Sequence, residues 1–253
     1  MKVKIFDSRD ECLQAGADMW VKFAKAEKKM IIGCCTGTTT EPIHQIVIDM
    51  YKKDPWDTTG QMTCNADEHW TPPGANMVLE MRPRMQPLFD TLGMDEEHAM
   101  MPNAQCEDPY AEAERYEKAI RDKGGVGLQM LGVGPDAHLG FCLPGTPFES
   151  LTHVVDESQS VGMGHYRRGL DFEFGPVKGI TMGLRTFMMG QYTLPIVSGS
   201  HKAEATANAI LGPVTERVPA SILQLHPNCT WYCDKDAAEG IIGRIDENGI
   251  RIK

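Results

Sequence analysis

Short apolar runs alternate along this chain with longer amphipathic ones, the pattern of repeated βα units and a mostly parallel sheet. "KVKIF" reads as a first strand, and Asp7 or Ser8 stands where it can cap a helix carrying Leu13, Met19, Trp20 and Phe23. "MIIGCC" is a buried strand. After it Ile43, Ile46, Val47 and Met50 fall at i, i+3, i+4 and i+7, the core face of a second helix. "DPYAEAERYEKAIRDKGG" is the clearest helix, with Glu114–Lys118 and Glu117–Arg121 at favourable i, i+4 spacing and Gly124 as its stop. "VGLQMLGVG" follows as a central strand. "LPIVSG" is another strand, leading to a helix from about Lys202 with Ser200 as its cap, and "CTWYC" is a strand followed by "KDAAEGI". The tail 241–253, "IIGRIDENGIRIK", predicts a hairpin turning near Asn248-Gly249. No repeat or low-complexity linker interrupts the pattern, so residues 1–253 are expected to form one α/β domain.

Composition narrows the partners. A net charge of −10 over 253 residues argues against general nucleic-acid binding, which needs a basic face. It leaves room for an anionic small molecule in a locally positive pocket. No apolar run reaches the length of a membrane span, and "MKVKIFDSRD" lacks the apolar core of a secretion signal, so a cytoplasmic location is expected. In that setting the eight cysteines read as reduced thiols. Cys229 and Cys233 are four apart with no second ligand pair at zinc-site spacing, and no metal is expected.

Four segments carry candidate chemistry. In "CCTGTTTEP" a strand ends, Gly37 and the threonines follow, and Pro42 sits where a helix would begin; free N–H groups and hydroxyls at a helix N-terminus suit a phosphate. The plainer alternative is a helix cap made by Thr39 or Thr40. In "TCNADEHW", Asp67 or Glu68 can serve as a general base, or form a solvated acidic turn before "TPPG". In "LGVGPDAHLGFCLPG" a tight turn through Gly132, Gly134 and Pro135 presents Asp136 and His138, an acid and an imidazole two residues apart. The alternative is a structural histidine. The fourth group is cationic: Arg167 and Arg168 in "GHYRRG" and Lys202 in "SGSHKAEA", suited to a phosphate dianion or simply solvated.

In this order the four blocks resemble the superfamily that joins glucosamine-6-phosphate deaminase/isomerases with 6-phosphogluconolactonases, over about residues 2–238. The resemblance implies a Rossmann-like fold, a phosphorylated sugar as substrate, no cofactor, and a homo-oligomer as a possible state. "ERYEKAIRDKGGVGLQMLGVG" and "PASILQLHPNCTWYCD" are similar to the deaminase branch, whereas "GPDAHLGFCLPG" resembles the lactonase loop. The deaminase loop carries a glutamate five residues after its histidine that orients the imidazole; here that position is Leu143, with Glu149 six residues further on. Thr38 and Ala137 stand where the family usually has glycine.

By this resemblance Asp67 is the base that moves a proton between C1 and C2, His138 the ring-opening acid/base, and Asp136 its neighbouring carboxylate. Thr36, Gly37, Thr38 and Thr39 form the phosphate loop, with Lys202 and one of Arg167 and Arg168 as charge partners; Glu68 and Glu149 are further candidates. The expected function is acid–base isomerisation of a hexose or hexosamine 6-phosphate, with or without deamination. Leu143 keeps two alternatives open, a 6-phosphogluconolactonase-type hydrolase and a sugar-phosphate sensor that has lost turnover.

Overall fold

The computed structural model describes residues 1–27, 29–75, 81–156 and 178–246. Seven strands form one parallel sheet: β1 (Lys2–Phe6), β2 (Ile31–Cys34), β3 (Met62–Asn65), β5 (Ala99–Met100), β6 (Val126–Gly132), β9 (Tyr192–Val197) and β10 (Thr230–Asp234). Their order is β1-β10-β9-β6-β2-β3-β5. From the central pair β2 and β6 the chain winds outward both ways, so the order reverses between these two strands. A parallel sheet binds ligands at such a reversal, beyond the carboxyl ends of its strands.

Both faces of the sheet are covered, which is why its strands read as nearly continuous apolar runs. Alternation along each strand still sorts side chains into two cores. Ile32, Cys34, Leu128, Met130, Leu194, Ile196 and Tyr232 face α1 (Arg9–Ala26), α2 (Thr40–Lys53) and α3 (Arg82–Leu92). Ile31, Leu131, Val197, Trp231 and Cys233 face α4 (Pro109–Asp122), α6 (Ala203–Leu211) and a 3-10 segment, Pro219–Leu225. Trp20 and Trp231 are fully buried, one in each core. Truncating either to alanine is expected to cost about 3–5 kcal/mol.

The local signals for helix ends hold in part. Ser8 caps α1, its Oγ accepting from Glu11 N–H at 3.2 Å, while Asp7 N–H donates back to the Glu11 carboxylate at 3.1 Å. Gly124 follows α4 with φ +97°, a conformation open to glycine at no steric cost. Other expectations are corrected. Glu117 does not pair with Arg121: it is buried and accepts from Thr152 N–H (3.1 Å), Thr152 Oγ1 (2.5 Å) and Thr186 Oγ1 (2.9 Å). Lys118 pairs with Asp122 instead of Glu114. Ser200 lies in a 3-10 turn, Ser200–Lys202, and makes no side-chain cap to α6. The turn of the expected terminal hairpin, Asn248-Gly249, lies outside the described residues.

A second sheet has no counterpart in the sequence reading. β4 (Asp67–Trp70), β8 (Lys178–Thr181) and β7 (His153–Asp156) pair antiparallel in that order. β4 leaves β3 after one residue, Ala66, whose N–H donates to Cys34 O at 2.7 Å and whose carbonyl accepts from Met182 N–H at 2.7 Å. The first bond holds the start of β4 against the end of β2, and the second against the residue that follows β8. A short helix, α5 (Leu184–Met188), follows β8. Among the described residues no helix is long and apolar enough to cross a membrane.

Candidate active site

Asp67, Asp136, His138, the threonine loop and Lys202 all sit just past carboxyl ends of sheet strands. The threonine loop leaves β2 and enters α2, where Thr40 and Glu41 N–H donate to Gly37 O at 3.1 and 3.0 Å. Neither Thr39 nor Thr40 caps the helix with its side chain, contrary to the plainer reading of this segment. Thr39 Oγ1 instead accepts a hydrogen bond from Lys202 Nζ at 3.3 Å. Lys202 arrives from β9 through the turn at Gly199, where φ is +93°. The lysine is buried, and desolvation lowers its pKa to about 8, against the opposing pull of Asp234. A buried ammonium beside a hydroxyl and a helix N-terminus is a site for an anion.

Two groups that the sequence did not mark complete this corner. Asp234, at the end of β10, accepts from Gly199 N–H at 3.1 and 3.0 Å and from Ala237 N–H at 2.8 Å, which fixes the turn that carries Lys202. Its position at a strand end, closing "CTWYCD", was the available signal. Arg9 donates to Thr38 O at 3.1 Å from the first turn of α1. No sequence pattern links residues so far apart.

The second corner is the loop after β6. Gly134 N–H donates to His138 O and Ala137 N–H to Gly134 O, both at 3.0 Å, closing a tight turn. The His138 ring lies over Gly134 so closely that a Cβ there would stand 2.1 Å from ring carbon Cε1. That contact requires glycine. Asp136 Oδ1 meets His138 Nδ1 at 2.5 Å, which leaves Nε2 as the nitrogen for exchange with a ligand. Burial raises the Asp136 pKa, but the hydrogen bond and charge of His138 outweigh it and hold the carboxyl below its ordinary value. Ala137 adopts φ +65°, the left-handed conformation for which the family's glycine is suited.

The small sheet braces this loop. Thr181 Oγ1 accepts from Phe141 N–H at 3.1 Å, and Thr181 is the register partner of Asp67. A Cβ on Gly140 would lie 2.8 Å from Thr181 Oγ1 and 3.3 Å from Asp67 Oδ2, so the loop runs directly against the Asp67 carboxylate. Asp67 is 4% exposed. His69, two residues on and thus on the same face of β4, stacks at a tilt on Phe141 with ring centroids 5.5 Å apart.

Its neighbour Glu68 points the other way. Its carboxylate accepts from His69 N–H (2.8 Å), Met81 N–H (2.6 Å) and Arg82 N–H (3.2 Å). Burial pushes its pKa up to about 7 in spite of those donors. Glu149 is exposed, and the ring nitrogen nearest the loop's own backbone is taken by Asp136. Arg167 and Arg168 lie outside the described residues. The cysteines are unpaired, and all but Cys106 are buried, with Cys34 pushed up to about 12 by desolvation. Such thiols are poor nucleophiles. Among the described residues no group of three or more His, Cys, Asp or Glu side chains is placed to hold a metal ion.

Residues 8–231 match the family model described as glucosamine-6-phosphate isomerases/6-phosphogluconolactonase. The chain belongs to this family. A relative from Shouchella clausii, a glucosamine-6-phosphate deaminase, is 34% identical over 229 residues, 90% of this chain and 93% of its own. A solved structure described as a monomeric glucosamine-6-phosphate deaminase superimposes with a TM-score of 0.86 at 29% identity, covering 95% of this chain and all of its own. A 6-phosphogluconolactonase from Trypanosoma cruzi shares the fold, with a TM-score of 0.75 at 16% identity over 95% of this chain and 96% of its own. Both branches of the family therefore share this architecture, and identity favours the deaminases.

Proposed function

We propose that this chain converts glucosamine 6-phosphate and water to fructose 6-phosphate and ammonia. The observation that carries the reading is the joining of an anion corner, Lys202 on Thr39, to a proton-transfer corner, His138 on Asp136, at the ends of the two central strands and their neighbour. The deaminase relatives supply the chemistry that these two corners fit.

Thr36, Gly37, Thr38 and Thr39 cradle the phosphate, with Lys202 and one of Arg167 and Arg168 as its cations. His138, through Nε2, moves the proton that opens the sugar ring, and Asp136 holds the imidazole by Nδ1. Asp67 removes the proton from C2 and returns a proton at C1, so that the C2 amine becomes an imine. Water adds at C2 and ammonia leaves, giving the ketose. A positioned acid or base contributes about 10²–10⁴-fold. No cofactor enters these steps. All the proposed groups belong to this one chain, and a solved structure described as a monomeric deaminase stands among its neighbours.

Lactone hydrolysis is a second reading, favoured by Leu143 before Pro144-Gly145 and by the exposure of Glu149. Purified protein given glucosamine 6-phosphate is expected to release one ammonia per fructose 6-phosphate. Absence of both products, with fast hydrolysis of 6-phosphogluconolactone, would replace the first reading by the second.

A further inference from the structure

Glu68 adjoins Asp67 in sequence yet faces the opposite side of β4, into the N-terminus of α3. Glu68 is 1% exposed, and its carboxylate takes the N–H groups of Met81 and Arg82, donors that a helix start leaves without intrahelical partners. α3 begins at Arg82, and its N-cap residue, Met81, makes no side-chain cap. The cap comes from a different strand, 13 residues back in sequence.

What this cap holds is the wall of the phosphate loop. Met81 is buried, and its thioether receives the hydroxyl of Thr36, the first residue of the loop. One turn further along α3, Arg84 forms an ion pair with Glu41 in the first turn of α2. Arg82 reaches back to Ala99 O of β5 at 3.2 Å. A chain of direct contacts therefore runs from Glu68 through Met81 to Thr36, and a parallel one through α3 to the helix that the phosphate loop enters.

We propose that Glu68 is a positioning residue for phosphate: it sets the N-terminus of α3, and through Met81 the Thr36 end of the phosphate loop, without touching substrate. This rests on the reading of that loop as the phosphate site. The carboxylate that looked like an alternative base to Asp67 thereby takes a different task, with the base and the brace supplied by successive residues of one strand.

Titration with inorganic phosphate at pH 7.5 tests this independently of turnover. Glu68→Gln keeps the shape and removes one acceptor, and is expected to weaken phosphate about fivefold. Met81→Ala, which leaves Glu68 intact, is expected to weaken it to a similar extent, and the double variant no more than the larger single effect. With glucosamine 6-phosphate the same variants raise KM and leave kcat within about twofold. Phosphate binding by Glu68→Gln equal to wild type, additive effects of the two substitutions, or a fall in kcat at unchanged KM would each overturn the proposal. If Glu68→Gln does not fold, Met81→Ala and Glu68→Asp carry the same comparison. A wild-type protein that binds no phosphate would overturn the underlying site reading as well, an outcome distinct from the others.

Discussion

The anion corner and the proton-transfer corner of this site are built in different ways. Lys202 and Thr39 follow β9 and β2, the strands on either side of β6, and are held from outside: Asp234 fixes the Gly199 turn, Arg9 holds Thr38 O, and Met81 covers Thr36. His138 is held from inside its own loop, by Asp136 two residues before it and by the glycine beneath its ring. The external orienting carboxylate expected from the deaminase branch is replaced by Leu143. An anion corner with several distant supports should withstand the loss of one of them better than an imidazole with a single local partner withstands the loss of that partner.

The largest expected effect separates the corners outright. His138→Ala should lower kcat for glucosamine 6-phosphate by about 10³-fold, with substrate affinity nearly unchanged. A comparable loss of affinity, read by calorimetry, would show that the two corners are not separable. Lys202→Ala should weaken glucosamine 6-phosphate by about 10- to 100-fold and leave unphosphorylated glucosamine unaffected. Equal losses for both ligands would remove Lys202 from the phosphate site.

Adding the missing carboxylate sharpens the comparison. If a single local partner limits the imidazole, Leu143→Glu should raise kcat by about threefold to tenfold, a small part of the roughly 10²–10⁴-fold that a positioned acid or base contributes. An unchanged or lower rate in a folded variant would mean that Asp136 alone suffices.

Burial makes the anion corner sensitive to pH in a defined direction. Lys202 loses its charge as pH rises through about 8, whereas a sugar phosphate is already a dianion there. Affinity should therefore decline above that pH, and binding at pH 9 should take up close to one proton, while binding at pH 7 takes up almost none. Calorimetry in buffers of different ionisation heat reads this directly, and zero uptake at pH 9 would contradict it.

The smallest effect concerns the turn beneath His138. Ala137→Gly relieves the left-handed strain at φ +65° but adds chain entropy and removes a buried methyl, so stability should shift by no more than about 1 kcal/mol. A loss several times larger in a denaturant melt would show that the methyl is a packing element.

Much of the main sheet was legible because its strands are buried on both faces. "KVKIF", "VGLQMLGVG" and "CTWYC" mark β1, β6 and β10, and the glycines around His138 announced a tight turn. The antiparallel sheet was not legible. Its strands "DEHW", "HVVD" and "KGIT" are four residues each, polar, and separated by long stretches, so periodicity has nothing to accumulate over. α3 was hidden by Pro87, which sits inside the helix and argues against a continuous helical run, whereas Pro83 lies in the first turn, where a proline costs no hydrogen bond. Surface pairing rules also misplaced Glu117, because they describe an isolated helix and this glutamate is buried against β7 and α5. The site residues showed the same division. Residues on one loop, Asp136 and His138, were visible together. Contacts across the sheet, Lys202 to Thr39 and Arg9 to Thr38, became visible only with the topology.

The most direct test of the account is the turnover of glucosamine 6-phosphate by Asp67→Asn beside wild type, with ammonia, fructose 6-phosphate and substrate affinity measured on the same preparations. The account predicts equal ammonia and ketose from wild type, and a variant that binds as tightly but releases both about 10³-fold more slowly. A variant as fast as wild type would contradict the assignment of proton transfer to Asp67, and with it the claim that these two corners form one deaminating site.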